Sequence, residues 1–219
     1  NMTTPTRYPE IEVSGSSREM GKQIGEAARE QIRGFAEIAM ERVNKTVSIS
    51  RERALQLASD SFSHVEAYSA DMVQEIHGMA ESSGVSADEL MLLQIRNQLQ
   101  PEEDSGCTSF STVAVETPSS SIVGQNWDND PALDPFTVVL TRRPSGKPAL
   151  MNITQAGLIA YIGVNDRGIG MCLNTLPAPS RPLGVPHYFL VRGIYESDSL
   201  DGTVAAVRQA ERAIPANLM

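Results

Sequence analysis

Gly106-Cys107-Thr108-Ser109 sets a thiol directly after a glycine and ahead of two hydroxyls. A thiol attacks a carbonyl carbon as the thiolate, so it needs a base. The three histidines, His64, His77 and His187, are isolated in the sequence. A histidine-dependent cysteine hydrolase would draw on His77 or His187, which distance along the chain does not exclude. A second solution needs no histidine. If the Gly106–Cys107 bond is broken, Cys107 becomes a chain start. Its α-amine, with an ordinary pKa of about 7.7–8, is then a base beside its own thiol. Glycine suits the position before the cut because it accepts unusual backbone geometry. The competing reading is a small buried thiol that opens a strand.

Other chemistries find little support. There is no C-x-x-C and no histidine spacing that fits a metal, so no metal site and no organic cofactor is indicated. There is no G-x-S-x-G and no G-x-x-x-x-G-K-[ST]. Gly168-Ile169-Gly170 is a lone G-x-G and reads as a turn running into a strand. Two cysteines, Cys107 and Cys172, are too few for a disulfide scaffold, and Asn1–Glu10 lacks the basic-then-apolar pattern of a secretory signal. A cytoplasmic location is the expectation. The net charge of −9 argues against nucleic acid as a partner. No run reaches the ~18 apolar residues of a membrane span.

The elements that must position Cys107 change character at Cys107 itself. Asn1–Gly106 carries 10 basic and 18 acidic residues, a net of −8; Cys107–Met219 carries 8 and 9, a net of −1. The acidic part is helical in pattern. Met20, Ile24, Ala27, Ala28 and Ile32 recur on one helix face after the cap residues Ser16-Ser17-Arg18-Glu19. Gly21 and Gly25 on that helix allow a neighbour to approach closely. A second helix is predicted over 50–79 with a break near Tyr68–Ser69. A third follows the capping box Ser86–Glu89 and runs to about Leu99. Residues 101–106 read as an exposed acidic linker, where a cut leaves the rest folded. From Cys107 the period becomes alternating. Strands are predicted over 107–116, 121–127, 136–143, 149–154, 158–164 and 169–174, separated by turn residues, as an antiparallel meander. Helices return over 187–197 and 203–213. Helices, then strands, then helices make an α+β layered fold.

Gly106-Cys107-Thr108-Ser109 followed by Gly124-Gln125-Asn126-Trp127-Asp128 resembles the acyl-coenzyme A:6-aminopenicillanic-acid acyltransferase family, which belongs to the N-terminal nucleophile (Ntn) hydrolases. The similarity extends to Arg18–Glu26, Glu75–Glu81, Gly84-Val85-Ser86, Gln155–Leu158, Gly163-Val164-Asn165, Leu173-Asn174 and Gly184-Val185-Pro186. The resemblance implies an αββα sandwich and self-cleavage between Gly106 and Cys107, with Cys107 as nucleophile. It implies a catalytic place for Asp128, where a carboxylate would hold and tune the α-ammonium; the plain alternative is a turn residue. Asn174 resembles an asparagine that borders the site in related cysteine amidases, where an amide would face the oxyanion. Trp127, the only tryptophan, lines an acyl pocket or packs in the core. Cys172 reads as a buried strand residue. Gln155 stands where an acidic residue is common in the family.

The expected protein is thus an amide hydrolase or acyltransferase acting through an acyl-thioester on Cys107. Its substrate is a small-molecule amide or thioester. Residues 1–106 form a helical pro-segment and 107–219 the first part of a strand-rich catalytic fragment. The two remain together as a heterodimer of fragments, or assemble further as a homo-oligomer. Family members continue beyond the equivalent of Met219, so the sandwich is expected to be incomplete. The alternative is a non-catalytic, uncleaved or truncated domain of the same fold that binds or assembles.

Overall fold

Reciprocal serine caps start two of the helices. In the computed structural model, which describes residues 7–99, 107–113, 121–176 and 178–219, Ser16 caps the Glu19 amide while the Glu19 carboxylate accepts from the Ser16 amide. This opens α1 (Ser17–Ala27). Ser86 and Glu89 repeat the arrangement for α5 (Ala87–Ile95). Each box satisfies donors that a helix start leaves open. Between them lie α2 (Arg29–Val43), α3 (Arg51–Tyr68) and α4 (Ala70–Ser83). The break expected near Tyr68–Ser69 is the junction of α3 and α4, where the Ser69 side chain caps α4. The later helix runs beyond 79, to Ser83, because its terminator is Gly84 at φ 77°. Beyond Ile95, α5 tightens into a 3₁₀ turn over Arg96–Gln98.

The glycines of α1 do let a neighbour approach. Gly21 lies on the Glu75 carbonyl and on Gly78, and Gly25 on the Met79 carbonyl and Ser82, so a methyl at either would overlap α4. The helices close over Met20, Ile24, Ile32, Phe35, Ile76 and Met79, all fully buried.

The main sheet has the order β1-β4-β5-β6-β7. β4 (Thr137–Pro144), β5 (Leu150–Gln155), β6 (Ile162–Asn165) and β7 (Gly170–Met171) form the expected antiparallel meander. β1 (Glu10–Gly15) adds in parallel to β4 and was not expected. Ile11 and Val13 alternate with Glu10, Glu12 and Ser14, but the run is short and holds only two apolar residues, and it becomes a strand by pairing with β4. The hairpin β2 (Thr108–Val113) and β3 (Ser121–Asn126) is a separate sheet. So is the pair β8 (Leu173–Thr175) and β9 (Ala216–Leu218).

Two predicted strands are corrected, each for a visible reason. Leu158–Tyr161 is not strand, because buried side chains take its backbone groups. Gln94 donates to the Gly157 carbonyl and accepts from the Ile159 amide. Arg142 and Arg192 donate to the Leu158 and Ile159 carbonyls. The strand over 169–174 is interrupted at Cys172, whose backbone pairs with Met219 instead. Cys172 is buried, as expected. The last helices, α6 (His187–Tyr195) and α7 (Leu200–Arg208), end earlier than predicted; Ala213 and Arg212 turn to pair with Val185. The predicted linker at 101–106, the turn at 117–120 and the Gly106 side of the expected cleavage site lie outside the described residues.

One sheet face carries Val138, Leu140 and Leu150, which share the helices' apolar core. The opposite face carries Thr137, Ile153, Gln155 and Ile162, since paired residues in antiparallel strands share a face. The architecture is α+β, as the sequence pattern implied. The described residues before Cys107 pack on those after it: β1 pairs with β4, and Glu75 of α4 is buried against Arg142 of β4 and Arg192 of α6. No helix among the described residues is long and apolar enough to cross a membrane.

Candidate active site

The hairpin places Cys107 one residue before β2. Thr108 pairs with Asn126 and Ser109 with Gln125, so Ser109 and Gln125 project from the same face. That face meets β8, and side-chain amides join the two. Gln125 donates to the Leu173 carbonyl at 2.6 Å and accepts from the Leu173 amide at 2.9 Å. Next to it, Asn174 donates to the Cys107 carbonyl at 3.0 Å and accepts from the Ser109 hydroxyl at 2.6 Å. Hydrogen bonds of this kind contribute about 0.5–1.5 kcal/mol each. Four in one patch fix the hairpin, and Cys107 with it, on the rest of the molecule.

Cys107 is half-buried, with its thiol free of any disulfide. Trp127, just past the end of β3, is half-buried with its ring 4.8 Å from that of Tyr161. Tyr161 in turn packs on Tyr188 and lies edge-on to His187. Burial first, then Tyr188 and Cys107, push the Tyr161 hydroxyl well above its ordinary range, so it remains a neutral phenol beside the thiol. Burial also raises the Cys172 thiol, partly offset by the Ser109 hydroxyl.

A cleft of about 540 Å³ opens beside Trp127 and Gln125. Ile153 and Ile162 of the main sheet form its apolar wall. Asp130 and Asp134, from the 3₁₀ segment Pro131–Phe136 and its cap, stand at its rim.

The structure thus brings together Cys107, Ser109, Asn174 and Trp127. Asn174 holds the Cys107 backbone through one amide N–H, a more local task than the oxyanion contact its position implied. Asp128 sits two residues beyond the Asn126–Thr108 pair, exposed, and makes no hydrogen bond or ion pair among the described residues. The histidines stand apart from the thiol in their contacts. His77 stacks on Phe62, and His64 bonds Glu211. His187 is buried with neither ring nitrogen hydrogen-bonded among the described residues, and burial with Arg96 nearby pushes it down to about 3. None hydrogen-bonds Cys107 among the described residues, and a neutral, sealed His187 is not a poised base.

Three members of the site escaped sequence reasoning. Gln125 lay inside the Gly-Gln-Asn-Trp-Asp segment, and its alternation with Val123 marked its face but not its partner. Tyr161 carried no signal beyond an aromatic in an apolar run. Gln94, which shapes the loop leading to Tyr161, is a polar residue in an apolar helical run and carries no sequence signal of its partners.

Comparison with known proteins finds that residues 115–219 match the family model for acyl-coenzyme A:6-aminopenicillanic acid acyl-transferase, AAT. The matched stretch contains Trp127, Asp128 and Asn174 and begins after Cys107. A curated relative from Emericella nidulans (strain FGSC A4), the acyl-coenzyme A:6-aminopenicillanic-acid-acyltransferase 40 kDa form, is 33% identical over 130 residues. The match covers 58% of this chain and 36% of that relative, so the chain spans little more than a third of the relative's length.

Proposed function

Starting from residues 115–219 as a member of the acyl-coenzyme A:6-aminopenicillanic acid acyl-transferase family, we propose that the chain is a cysteine Ntn-type amide hydrolase or acyltransferase that activates itself by cleavage between Gly106 and Cys107. The observation that carries this reading is the Asn174 amide, which holds the Cys107 carbonyl and the Ser109 hydroxyl together at the start of β2. The helix-backed sheet, with the hairpin on its open face, is consistent with one side of an αββα sandwich.

Once free, the Cys107 α-amine takes the thiol proton and the sulfur attacks a substrate amide or thioester carbonyl. The C–S bond forms and the carbonyl oxygen becomes an oxyanion. As the oxyanion collapses, the C–N or C–S bond of the substrate breaks, and the leaving group takes the proton back from the α-ammonium. The remaining acyl-thioester is released to water or to an amine by the reverse proton path. Asp128, exposed past the end of β3, is assigned to hold the α-ammonium. Trp127 and the cleft beside it receive the acyl or amine half, with no metal or cofactor in the scheme.

Intact mass and a denaturing gel test the first step. Two fragments that divide between Gly106 and Cys107, and a single inactive chain for Cys107→Ala, are expected. A single chain whose activity survives Cys107→Ala would overturn the proposal. A second reading, a non-catalytic assembly module, has one observation in its favour: Phe110 and Ile122 lie exposed on the hairpin face turned away from β8. It predicts one uncleaved chain without activity.

A further inference from the structure

The cleft beside Trp127 has a charge. Its polar rim holds Asp130 and Asp134, and no lysine, arginine or histidine is among the described residues that line it. Burial would raise the Asp130 carboxyl, but Arg42 and the Ala132 amide hold it below its ordinary range, so it is ionised. Asp134 is exposed and accepts a 2.6 Å hydrogen bond from the Tyr8 hydroxyl, which orients one oxygen and leaves the other without a hydrogen-bond partner among the described residues. Arg42 offsets Asp130, but no cation among the described residues is paired with Asp134. The wall behind this rim is apolar, from Trp127, Ile153 and Ile162.

A further group lies on the same side of the sheet. Gln155 is fully buried, and neither atom of its amide has a hydrogen-bond partner among the described residues. It leaves β5 on the face of Ile153 and pairs with Thr137, and both of those residues line the cleft. An unpaired buried amide is costly, about 1–3 kcal/mol for a group left unsatisfied, and is relieved by an uncharged polar partner. Gln155 does not itself line the cleft, so recognition falls to the acidic rim and the apolar wall, and these match one kind of molecule.

We propose that this cleft binds an amphiphilic cation, an amide substrate whose far end carries a protonated amine. The apolar stem lies on Trp127 and Ile153, the ammonium meets Asp134, and the uncharged amide is turned toward the hairpin, where Gln125 lines the cleft. The proposal deepens the catalytic reading above and rests on it for the reaction. Binding to the cleft is measured without that reaction, so the two fail separately.

Trp127 is the only tryptophan, and it lines the cleft, so its emission reports occupancy. The full chain carrying Cys107→Ala is titrated at low salt with hexylammonium, hexanol and hexanoate, which share one stem. Hexylammonium should bind tightest and hexanoate weakest, at least about fivefold apart. Added salt should shrink the spread. Asp134→Asn, which keeps an acceptor for Tyr8, should reduce the spread to under about twofold. Hexanoate binding as tightly as hexylammonium, an undiminished spread in Asp134→Asn, or no emission change with any of the three would overturn the proposal.

Discussion

Glu75→Gln should be among the most damaging single changes in the molecule. The Glu75 carboxylate has no solvent exposure and serves two guanidinium groups, Arg142 at 2.6 Å and Arg192 at 2.7 Å. Arg142 and Arg192 are themselves buried, and each also donates to a loop carbonyl, of Leu158 and Ile159. Removing the carboxylate leaves two buried cations and one residual partner, Glu196 on Arg192. Breaking a buried pair from one side costs about 3–5 kcal/mol, against a total of about 5–15 kcal/mol for a domain. With a urea slope of about 1–3 kcal/mol per molar, the midpoint should fall by a molar or more. Burial alone would raise the Glu75 carboxyl, but Arg142 and Arg192 outweigh it and hold it below the ordinary 4.5. A depressed folded pKa means the unfolded state binds the proton more readily. The stability is therefore present above about 4.5 and is lost as pH falls through the folded value. Urea unfolding followed by Trp127 emission, repeated down to pH 4, measures both effects. Glu81→Gln, which removes a partly exposed partner of Arg18 and Lys22, is the control. If Glu75→Gln moves the midpoint no further than Glu81→Gln, the reasoning about this cluster is wrong.

Gly21→Ala should cost about 1–3 kcal/mol by forcing α1 away from the Glu75 carbonyl, read as a lower urea midpoint; an unchanged midpoint would contradict the close packing of α1 on α4. His187 behaves opposite to a paired histidine: its folded pKa lies far below 6.5, so stability is lost as pH falls from 6.5 toward about 3, by up to about 1.4 kcal/mol per unit. His187→Phe should flatten the loss between pH 6.5 and 4.5, above the Glu75 range, and a limb that persists in the variant belongs to another group. Asn174→Ala should remove the side-chain partner that the Cys107 carbonyl and the Ser109 hydroxyl share, lower stability by about 1–2 kcal/mol and slow the appearance of fragments on a denaturing gel; unchanged processing would remove Asn174 from the site.

The sequence carried the helical half well because its signals are local. Ser16–Glu19 and Ser86–Glu89 close within one turn, and Gly21 and Gly25 are spaced for one helix face. The meander was legible for the same reason, through alternation and turn residues over short spans. What was not legible depends on partners distant in the chain. β1 is a strand because β4 lies beside it, with paired residues 129 apart along the chain. The stretch from Leu158 to Tyr161 is apolar and β-prone, yet Gln94, Arg142 and Arg192 claim its backbone. In the site, Cys107 and Trp127 could be picked out by type and position, while Gln125 and Ser109 became informative only when β8 was seen opposite them.

These long-range contacts also bear on the proposed cleavage before Cys107 and on whether its products would stay together. The charge change at that residue invites a division into two bodies, but the packing runs across it. β1 extends the sheet that begins with β4, and α4 delivers its buried carboxylate to arginines from β4 and α6. A break in the connection would release the Cys107 end while leaving these contacts in place, because none of them passes through residues 100–106. The same arginines hold the loop that carries Tyr161 to Trp127. The described segment before Cys107 therefore belongs to the architecture of the candidate site as well as to the fold. Under native conditions the two fragments should elute as one species, and urea should separate them only together with loss of the Trp127 signal. Separation before that loss would show that the Glu75 cluster does not join the halves.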